Sequence, residues 1–357
     1  MRVGVIGGGL AGLVAARDLV RSGNRVTLYD SAALLGGQIR TRREAGFVVE
    51  DGAEGWVSAD PDVRQLCEEL GIQREIVEQV RRNSLFCSHG QLAELKPGEA
   101  ARLLGISAAE SDLGRGISSL LTGMGALTEA LAADVRPHAV VNAECGKLSL
   151  ERGPDGWRVV ATRGSEWFDG LILAVPGPEV AVLVQQLAPQ AAQKLGEIEY
   201  ASNVSVSLGF GRAAVGHALD ASGFVVDPGE ELRGLRACAF SSSKLPGRAP
   251  AGHVLIRAFF RPSAADLAED DREWRNRAVT LLSPVLEIRG EPERSWVARW
   301  PGALPQYRKS HAELIGTVQK TLTELGSIEL AGTSFHPGGV PGAVRSGRGA
   351  ARRMGKH

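Results

Sequence analysis

Near the start of the chain, the residues Gly7-Gly8-Gly9-Leu10-Ala11-Gly12 have the types and spacing to cradle a pyrophosphate. Gly7 permits a tight turn, Gly9 lets the backbone approach phosphate oxygens, and Gly12 lets a following helix pack closely on the preceding strand. The free N–H groups at the start of such a helix face negative charge, which brings in the backbone of Leu10 and Ala11. Asp30, about 20 residues further on, can accept a hydrogen bond from a ribose hydroxyl, and Ser31 follows it. This is the chemistry of holding a dinucleotide. No acid–base pair or nucleophile stands out elsewhere. The four cysteines (Cys67, Cys87, Cys145 and Cys238) are far apart without C-x-x-C spacing. That argues against a zinc site or a disulfide framework and suits a reducing cytoplasm, so no metal is expected.

The elements around the turn are those it needs. Arg2 to Ile6 is a short β-branched run, as in a buried parallel strand. From Leu13 to Val20 apolar residues recur at helical spacing, stopping at Arg21-Ser22-Gly23, and a second strand runs from Arg25 to Tyr29. A chance glycine-rich turn would not carry strand, helix, strand and acid in this order. Further on, the patterns predict helices over 61–71 and 124–135, strands near 140–141, 147–151 and 157–162, and a buried strand over 170–175. Lys96-Pro97-Gly98 reads as a linker, with short helical pieces after it. Between 178 and 325 the pattern changes. Val204 to Phe210 and Val254 to Phe260 alternate with period two, and helices are predicted over 270–288 and 313–326. A short strand over 328–332 and a helix from Pro341 close the reading.

The 357 residues carry 41 Lys plus Arg against 41 Asp plus Glu, so no overall field draws in nucleic acid or an anionic membrane. The basic cluster Arg345, Arg348, Arg352, Arg353 and Lys356 reads as a solvated helix end. No apolar run approaches the roughly 18 residues of a membrane span. The N-terminus lacks the basic start and small-residue site of a signal peptide. A cytoplasmic protein without a transmembrane segment is expected.

Two further stretches carry a resemblance. Leu35-Gly36-Gly37-Gln38-Ile39-Arg40-Thr41 resembles the GG-x-x-R-T/S stretch of flavin-containing oxidases, and Gly46 to Gly52 resembles the G-F-x-x-E-x-G segment that leads to their flavin. The implied cofactor is therefore FAD. Ser118 to Leu131, Gly223-Phe-Val-Val-Asp-Pro228, Phe240 to Pro250, Trp300 to Tyr307 with His311, and Gly338-Gly-Val-Pro341 are in turn similar to passages of the oxygen-dependent protoporphyrinogen/coproporphyrinogen oxidases, within the flavin-containing amine oxidase superfamily. The resemblance covers most of the chain but for one stretch. Between Cys87 and Met124 that family has a long helical insert roofing its substrate cavity, and here some 30 residues stand in its place.

The fold class expected is α/β: a Rossmann-like FAD-binding domain of amine oxidase type (1–60, 125–180 and 326–357) with a second, antiparallel-sheet substrate lobe (61–124 and 181–325). The resemblance implies cofactor contacts at Gly7, Gly9, Leu10, Ala11, Gly12, Asp30, Ser31, Gly36, Gly37, Gln38, Arg40, Gly52, Ala53, Glu54, Gly55, Trp56, Cys145, Trp300, Gly332, Gly339, Val340 and Pro341. It implies substrate contacts at Val226, Ala239 and Phe259. The flavin would take hydride from a porphyrinogen-like or related heterocyclic substrate, with O2 as acceptor. No catalytic side chain is assigned beyond His336, a candidate beside the Gly338 turn; His311 reads as a structural hydrogen-bonder. Without the roof, a partner subunit or second copy would close the site, or the substrate would differ. The alternatives are an amine oxidase-type enzyme, for which Lys244 and Lys309 would be the lysines to inspect, and a non-catalytic flavin-binding partner protein.

Overall fold

The computed structural model describes residues 1–105, 112, 114–230 and 232–356. The glycine turn sits at the end of β1 (Arg2–Ile6), the middle strand of a five-stranded parallel sheet. Its order is β10 (Ala139–Asn142), β2 (Arg25–Tyr29), β1, β14 (Gly170–Leu173) and β20 (Ile328–Leu330). Because every neighbour is parallel, both faces must be covered, which is why these strands are mostly apolar, with Thr27 and Glu329 the buried polar exceptions. On one face α1 (Leu10–Arg21), α2 (Pro61–Glu69), α4 (Gly125–Val135) and α10 (Gly339–Met354) share a core built from Leu13, Val14, Leu66, Leu127 and Val344. The other face is covered by α5 (Gly177–Val184), α6 (Pro189–Gly196), α9 (His311–Leu325) and the small antiparallel sheet β11 (Ser149–Gly153), β12 (Gly156–Ala161) and β13 (Gly164–Phe168).

The second lobe is a seven-stranded sheet: β19 (Arg294–Pro305), β15 (Tyr200–Gly211), β18 (His253–Phe260), β17 (Leu235–Ala239), β16 (Gly223–Val226), β7 (Leu85–Ser88) and β8 (Gln91–Glu94). All its pairings are antiparallel except β16 with β7. Period-two strands present two faces. The apolar face (Val204, Val206, Phe224, Ile256, Phe260) packs on α8 (Asp271–Leu286), whose Trp274 is fully buried. The opposite face looks at the hairpin β3 (Thr41–Glu44) and β4 (Phe47–Glu50) and at the loop that follows it. A third small sheet, β5 (Trp56–Val57), β9 (Ile117–Leu120) and β6 (Ile76–Glu78), joins the lobes.

Three stretches pack across the expected boundaries. The stretch beginning at 61 is expected in the substrate lobe, whereas Val63, Leu66 and Cys67 of α2 pack with α1 and α10. Likewise Ile315, Val318 and Leu322 of α9 pack beneath β14 and β20, as do Ala191 and Leu195 of α6. The physical reason is the parallel sheet itself, whose second face needs helices from wherever the chain can supply them. Of the short helical pieces expected after the Lys96-Pro97-Gly98 linker, α3 (Glu99–Leu103) is present. The part falling on 106–111 and 113 lies outside the described residues.

Candidate active site

The turn leaves the sheet tied to its neighbours: Gly7 N–H donates to the Tyr29 carbonyl at 2.7 Å. Gly7 has φ 109°, and a Cβ there would lie 2.5 Å from the Ala174 carbonyl oxygen. A Cβ on Gly12 would lie 1.8 Å from the Gly7 carbonyl oxygen, so α1 rests directly on the turn, as expected. No side chain caps the start of α1, leaving its first N–H groups for a ligand. Gly36 N–H donates to Gly8 O at 2.8 Å, while a Cβ on Gly9 would meet nothing nearer than the Gly37 Cα, at 3.8 Å. Gly9 thus has room for a side chain where Gly12 has none, while a Cβ on Gly37 would lie 3.1 Å from the Gly9 Cα, so the two glycines approach backbone to backbone. Asp30 stands at the end of β2, its carboxylate accepting from Gly8 N–H (2.6 Å) and Ala32 N–H (2.7 Å). Each oxygen keeps a lone pair for a ribose hydroxyl. Exposed Ser31 and buried Cys145, whose N–H donates to Asp30 O at 3.0 Å, share this edge.

A second group gathers at the far end of this glycine trough. Exposed Arg40 makes no hydrogen bond or ion pair through its guanidinium among the described residues and lies 6.0 Å from the Trp300 ring. The Trp300 indole donates to Asp51 O at 2.7 Å, and Gln38 donates to Ala303 O at 2.9 Å. A Cβ on Gly52 would strike Gln38 O at 1.7 Å, which locks these segments together. Near the C-terminus Gly332 (φ 119°) and exposed Gly339 (φ 58°) have nothing within 4 Å of a notional Cβ, and α10 also begins without a side-chain cap. Val340 and Pro341 open that helix with their side chains buried, as do Leu10 and Ala11 in α1; what these residues offer the trough is backbone.

The loop Gly52-Ala53-Glu54-Gly55 is the most highly charged part of the site. Lys244, at the end of α7 (Ser241–Lys244), donates to Glu54 at 2.7 Å, and Ser241 donates to the other carboxylate oxygen at 3.2 Å. Burial works to raise the Glu54 pKa, but Lys244, Arg257 and Arg248 outweigh it and bring the group down to about 2. Arg257 donates to the carbonyls of Asp51 (2.9 Å) and Gly52 (3.0 Å), with its guanidinium carbon 4.7 Å from the centre of the Phe259 ring. Strand register puts Phe259, Ala239, Arg257, Ala237 and Val225 on one face, looking at this loop. Val226, expected there, points the other way. It is fully buried with Phe224 and Cys87 in the core under α8, so it is no wall of the site. Trp56 is also a core residue, packed with Leu66 and Leu120 behind the loop. His311 is buried, with Tyr307 edge-on at 5.1 Å. The His336 pKa is lowered by burial and then by Arg353 and His311, which keeps the imidazole neutral at pH 7. Arg257, Ala237 and Val225 are additions to the expected set, and Lys244, a candidate only under the amine oxidase alternative, enters as the partner of Glu54. The alternation of β16 separates Val225 from Val226 without saying which of them meets the loop, and nothing in the sequence pairs Glu54 with Lys244.

The parallel sheet, two uncapped helix starts, the glycine trough and an uncommitted arginine together define a dinucleotide-binding flavoprotein, and the residues present fit FAD. The chain belongs to the flavin containing amine oxidoreductase family, whose model matches residues 77–355, while an NAD(P)-binding Rossmann-like domain model matches residues 5–70. It is an FAD-dependent oxidoreductase, and the resemblance to the protoporphyrinogen/coproporphyrinogen oxidases is borne out. The coproporphyrinogen III oxidase of Mycobacterium leprae is 27% identical, over 95% of this chain and 95% of its own. That alignment runs over 435 positions against 357 residues here, so the relative carries stretches that this chain lacks. A solved structure from Exiguobacterium sp. 255-15, described as a candidate protoporphyrinogen oxidase, matches with TM-score 0.87 and 21% identity over 100% of this chain and 99% of its own. A putrescine oxidase bound to putrescine matches with TM-score 0.74 at 14% identity over 100% of both chains. At these identities the two structures show the fold alone.

Proposed function

We propose that this enzyme oxidises a porphyrinogen-like substrate, with O2 as the final acceptor. The observation that supports this most is the likeness to the M. leprae coproporphyrinogen III oxidase along nearly the whole of both chains. When bound, FAD supplies the hydride-accepting chemistry. The chain's own residues hold and orient. The start of α1 and the trough of Gly9, Gly36 and Gly37 take the pyrophosphate, Arg40 neutralises it, and Asp30 binds the ribose beside Ser31 and Cys145. Gln38, Trp300 and the loop from Gly52 to Gly55 flank the ring system, with Gly332 and Gly339 at its other end. Ala239 and Phe259 form the wall against which an apolar substrate lies. His336 is neutral at pH 7 and serves as a hydrogen-bonding neighbour. A cytoplasmic location is part of this reading, with a second copy or partner subunit closing the site in place of the missing roof.

The test is anaerobic mixing of the yellow protein with coproporphyrinogen III, protoporphyrinogen IX or putrescine while the flavin absorbance is followed. Bleaching by a porphyrinogen and recovery on admitting air is the expected result. Bleaching by putrescine alone would move the enzyme to the amine oxidases, and bleaching by none would leave a flavin-binding protein of another kind.

A further inference from the structure

The loop at Glu54 holds more positive charge than its own acids use. Three carboxylates lie in or beside it, each with a cation of its own: Glu50 with Arg248 (3.6 Å), Asp51 with Arg42 (2.8 Å) and Glu54 with Lys244 (2.7 Å). Arg257 is a fourth cation, and its hydrogen-bond partners are only the Asp51 and Gly52 carbonyls and the Ser205 hydroxyl. Its Nε and Nη1 are buried with no partner among the described residues. Arg257 thus shares the Glu54, Glu50 and Asp51 carboxylates with the other three cations, and four cations against three acids favour an anion placed nearby.

Only one of these cations is positioned to meet that anion. Arg248 and Arg257 are shut away from solvent, and Arg42 spends its guanidinium on both Asp51 oxygens and the Val297 carbonyl. Lys244 has a single side-chain partner, Glu54, and keeps 17% of its side chain exposed. An ammonium has further N–H bonds to give. The rim here is open and mixed, with exposed Val80 and Leu121 alongside exposed Arg81 and Arg82. Val80, 64% exposed, donates its N–H to Lys244 O at 2.9 Å, and exposed Leu121 lies against Gly247 three residues on. A cation at a rim that also holds apolar side chains suits a ligand with an apolar body and an acidic arm.

We propose that Lys244 anchors a carboxylate arm of the substrate, exchanging its bond to Glu54 for one shared between Glu54 and the ligand. The assignment rests on the porphyrinogen reading above. It makes Glu54 a competitor for Lys244, so removing Glu54 and removing Lys244 change carboxylate binding in opposite directions. A pair that merely braces the loop behaves otherwise, because either loss then weakens the site alike.

The experiment measures binding of coproporphyrin III and its methyl ester to the FAD-loaded protein by quenching of protein fluorescence. Flavin content and Tm are recorded for every variant. Lys244→Met is expected to weaken the acid about tenfold and leave the ester unchanged, as for one lost bond to a charged group. Lys244→Arg restores the acid, and Glu54→Gln tightens it. Equal loss of acid and ester in Lys244→Met, or weakening of the acid in Glu54→Gln with flavin content intact, overturns the anchor. A wild-type protein that binds neither compound overturns the porphyrinogen reading and the anchor with it. Wild type that binds both while Lys244→Met matches it overturns the anchor alone.

Discussion

Two glycines of the same turn do different jobs, and the difference can be measured. A side chain at Gly12 meets backbone 1.8 Å away, whereas one at Gly9 meets only open space and a Cα at 3.8 Å. Gly12→Ala is therefore expected to destabilise the apoprotein by about 3 kcal/mol or more, as a clash with backbone that cannot yield. Gly9→Ala should leave apoprotein Tm nearly unchanged and lower the FAD-to-protein ratio after purification. Full flavination of Gly9→Ala would remove Gly9 from the phosphate site. Glu54 offers a second residue-scale test, through pH. Its folded pKa lies near 2, below the usual 4.5, so the stability it contributes is present above about pH 4.5 and is lost as pH falls toward 2. The wild type should exceed Glu54→Gln by a few kcal/mol at pH 6, and the gap should narrow steadily below pH 4.5 in urea titrations. A gap independent of pH would mean that Glu54 acts through packing instead.

At the scale of elements, the helices over the first sheet are held by one ion-pair knot. Arg17 of α1 is 2% exposed and reaches Glu69 at the end of α2 (2.7 Å) and Asp134 of α4 (2.8 Å), while Arg348 of α10 also reaches Glu69 (2.9 Å). Removing the buried member leaves Glu69 to Arg348 and Asp134 to Arg21, breaks the link between α1, α2 and α4, and opens a void. Arg17→Ala is expected to cost about 3 kcal/mol, read by chemical denaturation, while removing the exposed Arg158–Glu151 pair costs under about 1 kcal/mol. Helix α8 is started by a reciprocal cap, Asp270 accepting from Glu273 N–H and Glu273 from Asp270 N–H, both at 2.8 Å. Asp270→Ala should cost about 1 kcal/mol with flavin content unchanged. The first βαβ unit was legible in the sequence because its signals are local: a strand, a glycine turn and an amphipathic helix within thirty residues. The long strands β15 and β18 were legible for the same reason. What stayed hidden depends on partners distant in the chain. The helical spacing of α9 shows an apolar face but not which sheet receives it. The alternation of β16 shows two faces but not that Val225, rather than Val226, meets the flavin-side loop. Glu54 and Lys244 are each ordinary in isolation and lie 190 residues apart.

For the whole molecule, the cofactor is itself a bracket. The segments proposed to touch it come from both ends of the chain and from β19 between, so FAD binding adds to global stability by mass action. Stripping FAD should lower Tm, and adding it back should raise stability by about 1.4 kcal/mol for each tenfold excess over Kd. A Tm indifferent to free FAD would put the cofactor outside the folded core. The middle of the chain has the opposite character. There the seven-stranded sheet ends in the hairpin β7–β8, and Val80 and Leu121 are exposed.

The close crossing of α1 and α10 has a consequence for biosynthesis. A Cβ on Gly347 would lie 2.3 Å from the Ala11 carbonyl oxygen, so the first helix and one from the far end of the sequence rest backbone to backbone. While the ribosome is still making the second lobe, α1 and its glycine turn are already out of the exit tunnel, yet one flank of that helix has no neighbour and β20 is still missing from the sheet's edge. Flavin capture is therefore expected to wait for α10, and a chain cut before Gly339 should purify without FAD; full flavination of that fragment would show that the amino-terminal half binds alone.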